Sequence, residues 1–272
     1  MTTDPADTAP PDTAPPGGPA TPATARFARL KRPPAYRVVA EALVEEVLQR
    51  RLPPGSQLPT EADLAEQFGV NRSTVREGVR LLEEAGLVQR RPQKRLVVTR
   101  PSPDAVSAQI TRAMVLHDVT FHELWVVMME IEPLSADLAA ANAGAADLAR
   151  LERNLAETGR ALGDSAALAR LDVEFHDLLA RAGGNKAVPL LRQAVGGLFY
   201  PAFRRVFENV ETAGARLLDP HRTILDAVRA RDADTARVEM ARHIRDFRRG
   251  YLKAGLDPEL PVEVAGKWTG SL

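Results

Sequence analysis

The sequence predicts a mainly α-helical protein in two parts: a small N-terminal helical domain with a β-hairpin, and a larger C-terminal bundle that is all α. Three observations favour this fold class. The chain has 272 residues, 44% of them hydrophobic, which is enough for two cores. Alanine and leucine dominate the apolar residues, and β-branched runs are few. From Asp104 almost to the end, apolar residues recur at helical spacing.

The composition also excludes several classes of protein. The chain contains no cysteine, so it has neither disulfides nor thiolate chemistry. No apolar stretch approaches the roughly 20 residues that a membrane-spanning helix requires. The N-terminus lacks the charged start and apolar core of a signal peptide. We therefore expect a cytoplasmic protein without a membrane partner.

The formal net charge of zero conceals an asymmetry between the two parts. Residues 26–100 contain 15 Lys and Arg against 9 Asp and Glu, a net charge of +6, so the remainder of the chain carries −6. A basic segment joined to an acidic remainder is typical of a nucleic-acid-binding module attached to a domain with another role.

The N-terminal segment is predicted to be disordered over residues 1–25. It is rich in Pro, Ala, Thr and Asp and offers almost no large apolar side chain to bury. A basic run over residues 26–32 follows, and it is either an arm that contacts DNA or a solvated linker. A first helix is predicted over Ala35–Arg51, where apolar residues recur on one face.

Residues 58–86 predict two short helices joined by a tight turn. Thr60 stands in an N-cap position ahead of an apolar-periodic run, and Gly69 suits the C-cap of the first helix. Asn71 or Ser73 can cap the second helix. Such a pair is a helix-turn-helix whose second helix can enter a major groove, although a helical hairpin with a solvated charged face has the same pattern. The exposed face of the second helix is basic and polar, and it comprises Arg72, Ser73, Thr74, Arg76 and Arg80.

A basic hairpin follows the second helix. Leu87–Arg91 and Leu96–Thr99 are β-prone runs, and the segment between them carries Lys94 and Arg95. A hairpin in this position is a wing, and its tip can lie along phosphates or in a minor groove.

Residues 35–99 resemble, without an internal gap, the winged helix-turn-helix of GntR-family transcription regulators. The resemblance is carried by PPGSQLPTEADLAEQFGVNRSTVREGVRLLEEAGLV and by the wing RRPQKRLVV. It implies that the second helix is the recognition helix. The implied DNA contacts are to bases and backbone from Arg72 and Arg76, and to phosphates from Asn71, Ser73 and Thr74.

Residues 101–103 are predicted to be a linker, residues 104–254 an all-helical domain and residues 255–272 a loose tail. Asp219 and Pro220 favour a new helix start within the sixth helix of this domain. The seven predicted helices are Asp104–His117, Phe121–Ala143, Ala145–Leu162, Ser165–Arg181, Ala187–Asn209, Glu211–Arg231 and Ala233–Ala254.

The helical domain contains one candidate metal site. Asp172 and His176 are four residues apart and therefore project from one helix face. His221 and His243 lie on separate predicted helices further along the chain. One carboxylate oxygen and three imidazole nitrogens suit a borderline divalent ion such as zinc, with nickel or manganese as alternatives. The same spacing also fits a site without metal. In that alternative, Asp172 and His176 form a surface hydrogen bond, and the other two histidines cap helices or pack in the core.

Residues 104–254 resemble the all-helical FCD domain of the FadR subfamily, through IEPLSADLAA, DVEFHDLLARAGGN and HRTILDAVRARDADTARVEMARHI. The resemblance implies a metal at the base of an effector cavity. Met128 stands where the family often has an inward Arg, and it is assigned to the effector pocket, with a plain core residue as the alternative. Many FCD domains bind a metal through one Asp and three His, which correspond here to Asp172, His176, His221 and His243.

The sequence therefore predicts a ligand-responsive DNA-binding transcription regulator and not an enzyme. Because one helix-turn-helix reads only a half-site, we expect a homodimer on a palindromic operator. The resemblance implies a repressor released by a small organic effector, such as a carboxylate, at the metal. Two alternatives are a metal-dependent enzyme in which the Asp/His site activates water, and an architectural DNA-binding protein that ignores ligand.

Overall fold

The computed structural model describes residues 33–92 and 95–262, which form ten helices and two strands. The predicted mainly α fold class is confirmed. The N-terminal elements are α1 (Ala35–Leu48), α2 (Glu61–Phe68), α3 (Arg72–Glu84), β1 (Val88–Arg91) and β2 (Arg95–Val98). The C-terminal elements are α4 (Pro103–Leu116), α5 (Phe121–Asn142), α6 (Ala145–Arg160), α7 (Ser165–Ala182), α8 (Ala187–Asn209), α9 (Ala213–Arg229) and α10 (Ala233–Lys253).

Some predictions fall outside the described ranges. They are the disordered tail over residues 1–25, the basic run over residues 26–32, Lys94 in the wing, and residues 263–272. Among the helices that the structure describes, none has both the length and the apolar composition needed to cross a bilayer.

The N-terminal core lies between α1, α2 and α3. Val75 and Val79 of α3 are fully buried against apolar residues of α1, which include Leu43. α1 and α3 approach closely at Gly78, where a Cβ atom would lie 2.9 Å from the carbonyl oxygen of Tyr36. Because α3 buries its apolar face in this way, its basic face is left toward solvent.

Three caps set the start of α2, the end of α2 and the start of α3. The Asp63 N–H donates to Thr60 Oγ1 over 3.2 Å, and the Thr60 N–H donates to the Asp63 carboxylate over 3.1 Å, which makes a capping box. Gly69 ends α2 in the left-handed conformation with φ of 63°. Of the two predicted caps for α3, it is Asn71 that performs this role. These local bonds fix where α3 begins.

The wing is an antiparallel hairpin in which Val88 lies opposite Val98. Residues 55–58 add backbone hydrogen bonds to β2, including one of 2.9 Å from the Leu58 N–H to the Leu96 carbonyl. The side chains of Leu96 and Val98 are buried in the N-terminal core. The wing is therefore anchored to the helices along β2.

The seven C-terminal helices share a second core. α5 packs against α7, α8, α9 and α10. Phe121, Phe175, Ile224 and Met240 contribute to this core from four different helices. The two buried clusters have no residue in common.

The predicted C-terminal helices are all present, but the predicted break at Pro220 is wrong. α9 runs from Ala213 to Arg229 with Pro220 inside it. A proline within a helix forfeits one backbone hydrogen bond. The helix continues because the residues that follow, among them His221 and Ile224, are buried against the bundle.

The segment after α10 also differs from the prediction of a loose tail. Residues 256–262 fold back on the start of α5, with a bridge between Thr120 and Pro261. The Val262 N–H donates to the Val119 carbonyl over 2.9 Å, and the Val262 side chain packs against the core. Backbone pairing and this apolar contact hold the segment in place.

Candidate metal centre and DNA-binding surface

Four side chains from three helices converge inside the C-terminal bundle. Asp172 and His176 project from one face of α7, His221 projects from α9, and His243 from α10. One ligand atom of each residue lies within 4.8 Å of the others. All four residues are buried, and the most exposed of them, His243, is only 7% exposed. The structure brings together every residue of the predicted metal site.

The imidazoles face one another through their Nε2 atoms. His243 Nε2 lies 3.2 Å from His176 Nε2 and 3.3 Å from His221 Nε2. Asp172 Oδ1 lies 3.3 Å from His221 Nε2 and 3.8 Å from His243 Nε2. Nitrogen and oxygen ligands about 2.0–2.2 Å from a tetrahedral zinc ion lie roughly 3.4 Å from one another. The four atoms are therefore spaced like ligands of one small cation.

The environment of the Asp172 carboxylate indicates whether a cation fits this centre. Both of its oxygens are buried, and neither has a hydrogen-bond partner among the residues that the structure describes. A buried carboxylate without donors is unfavourable, and a divalent ion at Oδ1 would supply the compensating charge. Because one oxygen and three nitrogens are also a common donor set for zinc, these residues fit a divalent metal.

Burial keeps two of the imidazoles neutral. It lowers the pKa of His221 well below the ordinary value, and the nearby His176 lowers it further. Burial, and then His221 and His176, lower the pKa of His243 to about 3. Burial raises the pKa of Asp172 despite the opposing charges around it. Neutral imidazoles carry the lone pairs that metal binding requires, and a bound cation would reverse the effect of burial on Asp172.

A cavity of about 190 Å³ adjoins the centre, and Asp172 and His243 form part of its wall. Arg216 Nη2 lies 2.7 Å from Asp246 Oδ2 across this wall. An apolar cavity with an excess of positive charge suits a small organic anion. Its charged lining consists of Asp172, Arg216, Asp246, Arg249 and Lys253, and its apolar lining includes Phe203, Phe207, Leu217 and Phe247.

The second predicted site is the basic face of α3. Arg72 and Arg76 are both exposed there. Asn71 Oδ1 accepts hydrogen bonds from the Thr74 N–H over 2.8 Å, from the Thr74 hydroxyl over 2.8 Å and from the Ser73 hydroxyl over 2.7 Å. A hydroxyl that donates to a phosphate would have to leave Asn71. Ser73 and Thr74 are therefore engaged in the N-cap, next to the two exposed arginines.

The wing and the recognition helix border one groove. Arg72 and Arg95 both line this groove, which has a volume of about 430 Å³. Arg90, another lining residue, lies 3.1 Å from Glu61 of α2 and 3.4 Å from Glu83 of α3. These ion pairs connect the wing to both helices. The sequence analysis missed this role of Arg90, because its partners are distant in the chain.

Comparison with known proteins agrees with both parts of the chain. Residues 35–98 match the bacterial regulatory proteins of the gntR family, and residues 123–246 match the FCD domain. The transcriptional repressor NanR of Edwardsiella tarda is 30% identical over 228 residues, which are 79% of this chain and 86% of NanR. This chain belongs to the GntR family. NanR of Citrobacter rodentium is also 30% identical, over 223 residues that make up 79% of this chain and 84% of NanR.

A solved structure supports the same assignment. The GntR protein of Streptococcus agalactiae superposes with a TM-score of 0.57 at 27% identity, covering 79% of this chain and 99% of that protein. The predicted GntR family with an FCD domain is confirmed, and so is the function of a ligand-responsive DNA-binding transcription regulator. The alternative of a metal-dependent enzyme is not supported, because the family and its relatives are transcription regulators.

The sequence analysis of this GntR regulator missed a buried ion pair beside the metal centre. Glu132 Oε2 lies 2.8 Å from His176 Nδ1, and Glu132 Oε1 accepts from Arg192 Nε over 2.8 Å. Burial would raise the pKa of Glu132, but the charges of His176 and Arg192 outweigh it and lower that pKa to about 2. No local pattern links Glu132 with Arg192, because they are 60 residues apart in the chain.

Met128, which was assigned to the effector pocket, lies next to this ion pair. It is 4% exposed and belongs to the core of the bundle. It lines a cavity of only about 10 Å³ together with Glu132 and Arg192, and it is not among the residues that line the larger cavity beside Asp172. In this GntR regulator Arg192, from α8, supplies the guanidinium beside Glu132.

Proposed function

We propose that this GntR-family regulator is a homodimeric repressor that binds a palindromic operator and is released by a small organic anion held at a divalent metal ion. The observation that carries the proposal is the overlap of two sites. Asp172 and His243 belong both to the converging ligand set and to the wall of the 190 Å³ cavity. An effector in that cavity would contact the ion and the helices that hold it.

The metal is held by Asp172, His176, His221 and His243. We favour zinc, because imidazole nitrogens and carboxylate oxygens are both common ligands of zinc, and nickel and manganese are the alternatives. When bound, the ion supplies positive charge and open coordination positions that can accept an oxygen of the effector.

The effector is an organic anion, and a carboxylate is the simplest group of this kind. The support comes from the charge of the cavity wall, where the basic residues Arg216, Arg249 and Lys253 outnumber the acidic residues Asp172 and Asp246. Apolar side chains such as Phe247 would cover the body of the effector. The anionic group would then lie between the cationic wall and the metal ligands.

The DNA contacts are assigned to α3 and the wing. Arg72 and Arg76 are proposed to contact bases and backbone, because they are exposed on the face of α3 that carries no acidic residue from Asn71 to Arg76. Asn71, Ser73 and Thr74 lie on the same end of α3 and would contact phosphates there. The wing residues Lys94 and Arg95 would contact phosphates beside them.

Each half of the dimer would read one half-site of the operator. The proposed boundaries are residues 26–100 for the DNA-binding domain, 101–103 for the linker and 104–254 for the effector and dimerisation domain. The protein would act in the cytoplasm, where its DNA is found.

The proposal is tested by selecting DNA from a random library with the purified full-length protein, once with zinc and once after treatment with a chelator. We expect enrichment of inverted repeats, with affinity that depends on the metal and falls when the correct anion is added. If no sequence is enriched, the proposal that the protein binds a specific palindromic operator is wrong. If the same sites bind equally well with and without chelator, the protein is an architectural DNA-binding protein instead.

A substitution in the metal centre tests the ligand set separately. His243→Ala should reduce the metal content of the purified protein and blunt the effector response, while operator binding is retained at the affinity of the chelator-treated native protein. The control is His122→Ala, because His122 stacks on Trp125 outside the converging set. Equal metal stoichiometry in His243→Ala and the native protein would contradict the site assignment.

A further inference from the structure

A chain of buried charges extends from the proposed metal ligand His176 on α7 through Glu132 on α5 to Arg192 on α8. His176 Nδ1 lies 2.8 Å from Glu132, and Glu132 accepts from Arg192 Nε over 2.8 Å. Arg192 also donates to Asp177 Oδ1, and its Nη2 donates to the Val173 carbonyl over 3.3 Å. Neither Glu132 nor Arg192 projects from a helix that carries a ligand, since they belong to α5 and α8.

The position of Glu132 decides which nitrogen of His176 can bind a metal. An ionised carboxylate only accepts hydrogen bonds, so His176 Nδ1 must carry the proton that faces it. In the neutral ring Nε2 then carries the lone pair. Nε2 is the atom that lies 3.2 Å from His243 Nε2 at the centre of the ligand set. The contact with Glu132 therefore presents the metal-binding nitrogen to the centre.

Arg192 holds Glu132 in this orientation. Arg192 Nε donates a hydrogen bond to Glu132 Oε1, so that Oε2 accepts the one from His176 Nδ1. The guanidinium is itself held at two further points, by Asp177 and by the backbone of α7. Glu132 is fully buried and Arg192 is 2% exposed, so bulk water does not compete for these contacts.

We propose that Glu132 and Arg192 are positioning residues of the metal centre, which hold His176 in the tautomer and orientation that direct Nε2 to the ion. The inference rests on the proposed metal site but goes beyond its ligands, because it assigns a role to two helices that supply none of them. Hydrogen-bond partners behind a metal-bound histidine typically change metal affinity about 10- to 100-fold when they are lost.

The first test uses the native protein without metal. Long-range ¹H–¹⁵N correlation spectra of the ¹⁵N-labelled, chelator-treated protein, recorded over a pH series, report the tautomer of each neutral imidazole. The 5 histidines of the chain can be assigned by single substitutions. We expect the neutral ring of His176 to carry its proton on Nδ1. A neutral His176 with its proton on Nε2 would overturn the proposal, whether or not any variant folds.

The second test removes both charges together. Glu132→Gln with Arg192→Met removes both charges of the fully buried pair, whereas a single substitution would leave one of them unpaired. Asp177 also loses Arg192, but its side chain is 27% exposed and can be solvated. We expect the double variant to bind zinc about 10- to 100-fold more weakly in a competition assay with a chromogenic chelator, and to show a mixture of His176 tautomers. The control is Thr158→Val, which removes a buried hydroxyl of α6 that bonds only within its own helix.

The outcomes separate this proposal from the proposed function. If the native protein binds no divalent ion, the metal part of the proposed function fails, and the tautomer of His176 still decides the present inference. If the native protein binds zinc and the folded double variant binds it equally well with the same tautomer, only the positioning role fails. If Thr158→Val weakens zinc binding as much as the double variant does, the loss of affinity reflects general destabilisation. That result would also contradict the positioning role.

Discussion

At the scale of single residues, the arginines of α3 differ in their partners. Arg80 lies 3.6 Å from Glu77 and 3.6 Å from Glu84 on its own helix. Within the described residues, Arg72 and Arg76 form no ion pair and project into solvent. An exposed arginine without an acidic neighbour has no ion pair to break when it binds a phosphate or a guanine, so little interaction energy is lost. This difference separates the proposed DNA contacts from surface charge that serves the helix itself.

Arg76→Ala should weaken binding to the selected operator by about 1–3 kcal/mol, or roughly 5- to 150-fold, if the guanidinium makes a bidentate contact to a base. Fluorescence anisotropy at fixed salt measures the affinity, and light scattering checks that the dimer is intact. Arg80→Ala is the matched control and should have a smaller effect. Loss of folding in Arg76→Ala would instead make this residue structural.

At the scale of elements, the contact between α1 and α3 depends on the absence of one side chain. At Gly78 a Cβ atom would lie 2.9 Å from Tyr36 O and 3.1 Å from Val39 Cγ1. A backbone oxygen cannot move aside as the end of a flexible side chain can. The packing that holds the recognition helix is therefore specific to glycine at this position.

Gly78→Ala should lower the free energy of unfolding of the DNA-binding domain by about 1–3 kcal/mol, as overpacked cores do. Urea unfolding and operator affinity measure the effect. Gly197→Ala is the control, because a Cβ there meets nothing within 4 Å on α8. It should stabilise the other domain by about 0.5–1 kcal/mol, since alanine loses less entropy in a helix. Equal results for the two variants would contradict this account of the contact.

α4 connects the linker to the bundle through its contact with α8. Ser107 Oγ donates to the Gln193 carbonyl over 2.8 Å, and Thr111 Oγ1 donates to the Ala194 carbonyl over 3.3 Å. Both acceptors directly follow Arg192 in the chain. A shift of α8 beside the proposed metal centre would therefore be transmitted to α4 through these two hydrogen bonds.

Ser107→Ala should reduce the difference in operator affinity between metal-loaded and chelator-treated protein, while zinc affinity stays the same. The reason is that the substitution removes a bond between α4 and α8 and leaves the ligands untouched. Paired titrations of DNA and zinc measure the two quantities. Ser135→Ala serves as the control, because Ser135 bonds only to the Ile131 carbonyl within α5. An unchanged metal effect in Ser107→Ala would exclude this contact as the connection.

At the scale of the whole molecule, the described residues form two hydrophobic cores that have no residue in common. The proposed metal ligands lie in the second core and the recognition helix in the first. Binding energy at the metal is therefore expected to stabilise the C-terminal bundle directly, and the DNA-binding domain only through α4.

Removal of the metal should lower the melting temperature of the C-terminal bundle and leave that of the DNA-binding domain nearly unchanged. A ligand present at 100 times its Kd stabilises the folded state by about 2.7 kcal/mol, which calorimetry with and without chelator can detect. Readdition of zinc should restore the transition. An equal shift of both transitions would show that the two cores unfold together.

Local features of the sequence were sufficient for much of this fold. The caps at Thr60 and Gly69 act through bonds within a few residues, so the sequence analysis could predict them. The same holds for Asp172 and His176, which share a helix face because of their spacing. Pro220 shows the limit of this reasoning. Its local preference for a helix start did not break α9, because burial of the residues that follow it stabilises the continuous helix.

The sequence by itself determined the helices, the basic recognition face and, through spacing and resemblance, the four candidate metal ligands. Only the tertiary structure decided that His176 and His243, 67 residues apart, approach within 3.2 Å, and that Arg192 pairs with Glu132 behind them. It also placed Met128 in the core and folded residues 256–262 onto α5. The physical reason is that spacing along a helix sets only which side chains share a face. Which faces meet depends on how the helices pack.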